Sequence, residues 1–283
     1  MAHVVHHTDP AAFLAAARPV LARSAESAAA FAAWIRGLTA SPPAADGGPA
    51  YLATFAHGGS FGAALRRPDG PLVFEASDPA AAVAFAGDLA AQAPRLQGVV
   101  GALPACEAFA RAWRERTGRV HALRFHLRHH MLTEVAPVPP AAGAPRVAAG
   151  ADCDWLVESQ FAFVLEAGVP DNPERILAAI PKRVAHGDFW IWEDPAPVAF
   201  AGWTDAGDAA ARIAPVYTPP AARRRGYATA LVAALARALL AAGKRRLFLL
   251  TDVANPTSNA IYARIGFRAE CDECHLDFIA PAS

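Results

Sequence analysis

The stretch that decides the fold is Arg223-Arg224-Arg225-Gly226-Tyr227-Ala228-Thr229, set between an apolar run and a long helical pattern. Upstream, Ile213 to Val216 read as a strand that Pro219 and Pro220 break. Downstream, Tyr227, Leu231, Leu235 and Leu239 recur at helical spacing, with Val232 and Leu240 beside them and strongly helix-forming alanines between. Gly243 is a natural stop. The turn therefore opens straight into a helix N-terminus, where free backbone N–H groups and the positive end of the dipole make an anion site. Gly226 and Ala228 leave the backbone uncovered, so a bulky anion can approach. Arginines at a helix N-terminus oppose the dipole, so three together want an anionic partner, and a pyrophosphate suits their bidentate geometry. The bland alternative is an ordinary helix start with a basic first turn.

The next stretch extends this reading. Residues 246–250 (Arg-Leu-Phe-Leu-Leu) form a short apolar run suited to a strand buried on both faces. Asn255 followed by Pro256 is a sound helix start, and Gly266 is the matching stop. On that helix Asn259 and Tyr262 share a face, while Ile261 and Ile265 take another.

Strand, turn, helix, strand and helix in this order resemble the motif region of the GNAT superfamily of N-acetyltransferases. Arg223, Gly226 and Ala228 match its Arg/Gln-x-x-Gly-x-Gly/Ala pattern, and Tyr262, Gly266 and Phe267 match the end of its second pattern, whose first spacing is not met. The resemblance implies a mixed α/β sheet of the GNAT acyl-CoA N-acyltransferase fold and acetyl-CoA as co-substrate. It implies that the amides of the turn, with Arg224, Arg225, Tyr227 and Thr229 around them, hold the pyrophosphate. Val216, Tyr217 and Thr218 would pair with the pantetheine arm, Asn255 would touch it with Asn259 nearby, and Tyr262 would protonate the departing thiolate. Acetyl would pass to a primary amine by direct attack in a ternary complex, with main-chain N–H near residues 216–218 on the oxyanion. A phenol is protonated at neutral pH and is a competent acid toward sulfur. The strand at 212–217 lacks the glutamate that many GNATs use as base. Glu193, Asp205 and Asp208 are candidates on neighbouring segments, and the base stays unassigned.

Composition narrows the partners. The 283-residue chain is 54% hydrophobic and 18% charged, enough for a sizeable core. A formal net charge of zero argues against nucleic acid or an anionic membrane. No apolar run reaches membrane-span length and the N-terminus lacks a leader pattern, so a cytoplasmic protein is expected. Four cysteines do not make a disulfide framework. The oligomeric state is open, a homodimer included.

Along the chain, residues 8–38 read as helix and 41–49 as loop. Strands are expected near 50–56, 61–66 and 71–76, a helix from Ser77-Asp78-Pro79 to about residue 91, a strand at 97–103, a helix at 104–117 and a strand at 120–132. A second set follows: a strand at 146–151, helices at 155–166 and 172–186, strands at 188–193, 198–204 and 212–216, then the motif region. The repeated order suggests a tandem GNAT-like pair, with a degenerate first domain at 1–134, a Pro-rich linker at 135–145 and the catalytic domain at 146–283. In the first copy Asp78 stands at the helix start, where a carboxylate repels pyrophosphate, and Arg114 stands where Tyr262 stands in the second. No acyl-CoA site is expected there, and a structural role, or one wall of the acceptor pocket, is.

Two clusters invite other readings. Cys271-Asp-Glu-Cys274-His275 matches a short haem-attachment pattern and half a zinc site, but no second Cys/His pair sits at zinc spacing, so it is assigned to the last two strands and no metal is expected. His121, His126, His129 and His130 lie on a strand whose run holds no carboxylate, which favours a solvated face over a metal cluster. A non-catalytic acyl-CoA sensor or scaffold is the competing function, and transfer of a longer acyl chain or to a hydroxyl is another. The acceptor stays open among small-molecule amines, peptide N-termini and protein lysines.

Overall fold

The computed structural model describes residues 3–22, 31, 50–67, 70–92, 96–168, 172–207 and 209–279. The expectations for most of residues 23–49, the Pro68-Asp69 turn and Asp208 lie outside them. The described chain forms two compact units, Met1–Arg128 with Cys271–Ser283, and His129–Glu270.

The first unit holds β1 (Val4–His6), α1 (Pro10–Leu21), β2 (Tyr51–His57), β3 (Ser60–Arg66), β4 (Leu72–Ala76), α2 (Pro79–Gln92), β5 (Gly98–Ala102), α3 (Leu103–Thr117), the start of β6 (Val120–Leu132) and most of β12 (Arg268–Ile279). Its strands run β1-β2-β3-β4-β5-β12. Asp9 caps α1 by accepting from the Ala11 and Ala12 amides at 3.2 and 3.0 Å, and Pro10 follows at the first position. Residues 271–275 belong to one continuous strand, not two. That strand pairs antiparallel with β5, and its inward residues Cys274, Leu276 and Phe278 are buried among Phe74, Phe109 and Trp113. A segment expected to stay with the second half thus closes the core of the first. Alternation along the strand separates exposed Cys271 from buried Cys274, so the two thiols do not form a pair.

The second unit holds the end of β6, β7 (Ala144–Val147), α4 (Cys153–Ala167), α5 (Pro173–His186), β8 (Phe189–Glu193), β9 (Pro197–Gly207), β10 (Ala210–Tyr217), α6 (Tyr227–Ala241), β11 (Arg246–Asp252) and α7 (Pro256–Ile265). Strand order is β6-β11-β10-β9-β8-β7. Its first strand, β7, starts inside the segment expected to be linker, because Ala144 to Val147 pair with β8. Period-two alternation splits the sheet between two helical layers. Ala199, Ala201, Ile213, Leu247 and Leu249 face α6 and α7, while Phe200, Ile191 and Tyr217 face α4 and α5. The helix predicted from Leu231, Leu235 and Leu239 is α6, with all three buried. Leu231 is fully buried in that layer. Leu231→Ala is expected to cost about 2–5 kcal/mol, read as a lowered denaturation midpoint at constant slope. No described helix is long and apolar enough to cross a membrane.

Candidate active site

The site grows from a defect in strand pairing. β10 pairs in parallel with β11 over Ala210 to Arg212, opposite Arg246 to Phe248, and no further pairing between them is found among the described residues. On its other side Ile213 faces Trp203 while Val216 faces Ala201, so β10 carries one extra residue, a bulge. Gly202 permits it: a Cβ there would sit 2.8 Å from the Ala214 carbonyl oxygen. Past Arg212, β10 makes no ladder with β11 among the described residues.

The turn follows directly. After a short 3-10 turn at Pro220–Ala222, Arg224 takes φ +63° and Gly226 φ +84°. Gly226 caps α6 with its left-handed backbone alone, since no side chain caps this end. Its carbonyl accepts from the Ala230 amide at 3.0 Å. The amides of Tyr227, Ala228 and Thr229 precede that first helical bond and have no acceptor within the helix. The side chains of Tyr227 and Thr229 point inward and are buried, with the Tyr227 hydroxyl donating to Asp194 Oδ2 at 2.5 Å. Only their backbone is available to an anion.

The three arginines separate in role. Arg224 and Arg225 are exposed. Arg223 instead braces the turn: Nη2 donates to Glu166 Oε2 at 2.6 Å, Nε donates to the Thr218 carbonyl at 2.9 Å, and the guanidinium lies 5.6 Å over the Tyr217 ring. The Tyr217 hydroxyl donates to Glu166 Oε1 at 3.0 Å, and burial, then this carboxylate, raises its phenol above the ordinary value. Val216 packs toward α6, opposite Tyr217, as strand alternation requires. The Thr218 hydroxyl is buried with no hydrogen-bond partner among the described residues.

The start of α7 is tied down by both asparagines. Asn255 accepts from the Ser258 amide at 3.0 Å. The Asn259 amide nitrogen donates to the carbonyls of Asp252 and Asn255 at 3.0 and 2.8 Å. Its oxygen accepts from Thr251 Oγ1 at 2.6 Å and lies 3.2 Å from His130 Nε2. Asn259 is thus a brace as well as a candidate contact. Tyr262 is 8% exposed, with its ring edge-on to Phe267 at 5.8 Å and tilted against His130 at 6.4 Å. Burial alone pushes its phenol well above the ordinary tyrosine range. No hydrogen bond from its hydroxyl is found among the described residues.

Two of the base candidates are engaged elsewhere. Both oxygens of Glu193 accept from Arg146, at 2.9 and 3.2 Å. Asp205 pairs with Lys244 at 2.5 Å, which holds its carboxyl below the usual range. Sequence reading left Glu166 unmarked and took His130 for part of a solvated face. Glu166 is one of many helix carboxylates, and nothing local marks it. The histidine strand is not a solvated face throughout: His129 and His130 are buried, and His126 meets Asp272, a carboxylate supplied by β12, at 3.1 Å. Among the described residues no three His, Cys, Asp or Glu side chains group as metal ligands.

The first unit repeats the device with different chemistry. β4 also runs parallel to a neighbour, β5, and the helix α2 follows a short turn. Here the Asp78 carboxylate accepts from the Ala80 amide at 2.8 Å and from the hydroxyl of Ser60. That helix N-terminus is filled by the chain's own anion. Gly118 ends α3 at φ +72° as Gly266 ends α7 at φ +111°.

The second unit thus sets a bulged strand, whose parallel pairing stops at Arg212, beside an uncapped helix N-terminus. Residues 153–267 match the acetyltransferase (GNAT) family. They therefore form a GNAT-type domain, which supports an acyltransferase. Solved structures share the fold across the full chain. A Drosophila protein aligns at TM-score 0.64 and 17% identity, covering 99% of each chain. A GCN5-related N-acetyltransferase from Sphaerobacter thermophilus aligns at 0.61 and 17%, covering 99% of this chain and 97% of its own. A tandem GNAT protein of the clavulanic acid biosynthesis pathway aligns at 0.58 and 13%, covering both chains completely. No curated protein matches the sequence.

Proposed function

We propose that the second unit transfers an acetyl group from acetyl-CoA to a primary amine in a ternary complex. The observation that carries this reading is the uncapped N-terminus of α6 at Gly226, adjoining the bulged end of β10. The amides of Tyr227, Ala228 and Thr229 bind the pyrophosphate, with Arg224 and Arg225 adding charge. Residues 216–218 take the pantetheine arm along the end of β10, with Asn255 and Asn259 framing its far side. Arg223 contributes by holding the turn closed against α4. The donor is a substrate, and no metal enters the reading.

The acceptor nitrogen attacks the thioester carbonyl, forming the C–N bond. Main-chain N–H near residues 216–218 stabilises the oxyanion. Collapse breaks the C–S bond, and the sulfur takes the Tyr262 phenol proton. Desolvation raises the phenol's pKa, but a thiolate expelled into the same dry space becomes more basic too, so the transfer stays feasible. The nitrogen sheds its proton to solvent or to a base. An α-amino group, with a pKa near 8, needs little help, whereas a lysine near 10.4 needs a base. The ion pairs that occupy Glu193 and Asp205 therefore favour an acceptor of the first kind.

The same ion pairs also favour the second reading, a sensor that binds acyl-CoA without transfer. Thiol release from acetyl-CoA, followed with a panel of small amines, peptides with free N-termini and lysine derivatives, separates the two. Transfer predicts amine-dependent release; tight binding with no release for any acceptor would establish the sensor. Chain-length preference in the same assay tests the acetyl assignment.

A further inference from the structure

We infer that His130 is a positioning residue for Tyr262, acting as an Nε2–H donor that locks Asn259 and Thr251 and so sets the turn of α7 from which the tyrosine projects. The inference rests on the proposed acid role of Tyr262.

His130 lies at the end of β6, beside β11 in the same unit, and is 5% exposed. An imidazole this buried is costly unless hydrogen-bonded. Its Nε2 lies 3.0 Å from Thr251 Oγ1 and 3.2 Å from Asn259 Oδ1. The direction of these bonds follows from the asparagine. Its amide nitrogen faces the backbone carbonyls of Asp252 and Asn255, at 3.0 and 2.8 Å, and carbonyls only accept. The opposite end of the amide is therefore oxygen, and it points at Thr251 and His130. Thr251 spends its single hydroxyl hydrogen on that oxygen at 2.6 Å. Neither Asn259 Oδ1 nor Thr251 Oγ1 then has a hydrogen to offer the ring, so His130 Nε2 carries one and donates it.

The consequence reaches Tyr262 by two routes. Asn259 precedes it on α7 by three residues and on the same face, so the lock fixes the helical turn that carries the phenol. The imidazole also packs against the phenol ring, at 6.4 Å between centroids, with Phe267 on another side at 5.8 Å. A tyrosine so clamped keeps its hydroxyl in one place. An acid displaced by about an ångström from the sulfur loses much of its rate advantage.

The test has a spectroscopic arm and a kinetic arm. Ring signals of 13C-labelled tyrosine, with Tyr262 assigned through Y262F, are compared in wild type, H130A and H130Q; Gln carries an amide donor near the Nε2 position. The Tyr262 ring signals are expected to move in H130A and to return toward wild type in H130Q. An 15N spectrum of the wild-type histidines is expected to show hydrogen on Nε2 of His130. A bare Nε2, or Tyr262 signals unmoved in H130A, would overturn the inference with or without activity. If H130A does not fold, H130Q against H130L takes its place. In the kinetic arm, thiol release from acetyl-CoA with the fastest amine of the panel is expected to fall about tenfold in H130A, with acetyl-CoA Kd within twofold of wild type. In a Y262F background the same substitution is expected to cost less than about twofold, since the residue it positions is gone. Equal losses in both backgrounds would overturn the inference and leave the acid role standing. Full kcat in Y262F itself would remove the acid role, and this inference with it.

Discussion

Gly226→Asp is expected to abolish acetyl-CoA binding while leaving the protein folded. The position has φ +84° and heads α6 with no side-chain cap. A Cβ built there meets nothing nearer than Ala141 Cβ at 3.9 Å, so the space tolerates it. The left-handed backbone costs a non-glycine residue about 1–2 kcal/mol, and aspartate is among the side chains that adopt it most readily. A carboxylate at a helix N-terminus returns about 0.3–1 kcal/mol through the dipole, so net stability changes little. Binding changes greatly. The new carboxylate competes for the N–H groups proposed to hold pyrophosphate, and it repels the phosphates. At about 4 Å and an effective dielectric near 20, like unit charges repel by about 4 kcal/mol before screening. A loss of at least about a hundredfold in affinity is expected. The first unit already contains this arrangement, with Asp78 accepting from Ala80 at the start of α2. Calorimetry on both proteins, with circular dichroism as the folding control, decides the point. Unchanged affinity in the variant would place the pyrophosphate elsewhere, and no binding to the wild type would leave the turn a fold element only. Gly226→Ala, which strains the same backbone without adding charge, separates conformational from electrostatic loss.

Tyr262→Phe is expected to lower kcat by about ten- to a thousandfold with little change in acetyl-CoA Kd. The ring stays, so its packing against Phe267 and His130 is preserved. The lost atom is the hydroxyl, which makes no hydrogen bond among the described residues and so leaves no orphaned partner. A fall in kcat and kcat/KM together marks an interaction made only in the transition state. Because burial raises the phenol above its ordinary value, the acid stays protonated across the neutral and mildly alkaline range. No alkaline loss of kcat from Tyr262 ionisation is therefore expected near its unperturbed value of about 10. Wild-type kcat in the variant would remove the tyrosine from the chemistry.

Much of this site is legible locally. Gly226 after the arginines, the apolar spacing of Leu231, Leu235 and Leu239, the Asn255-Pro256 cap and the Gly266 stop each speak within one or two helical turns, and each element formed as read. The side chains around those elements are less legible. Arg223 looks like an anion ligand by position, yet Glu166 on α4 occupies it. Glu193 and Asp205 look like bases by neighbourhood, yet Arg146 and Lys244 neutralise them. His126 finds in Asp272 a carboxylate that its own strand does not offer.

Short-range signals, then, were enough for the elements of residues 212–267 and the uncapped helix start, because propensity, capping and left-handed glycines act between residues a few positions apart; they did not mark β1, and they divided β12 in two. Partnership was decided only by packing. His130 meets Thr251 across 121 residues and Asn259 across 129. The C-terminal strand closes the core of the first unit because its alternating Cys274, Leu276 and Phe278 fit there, and no pattern within those twelve residues says which sheet they will complete. Side-chain hydrogen bonds and ion pairs select partners by distance and geometry in the folded chain, and those quantities exist only after the sheet has brought remote strands together.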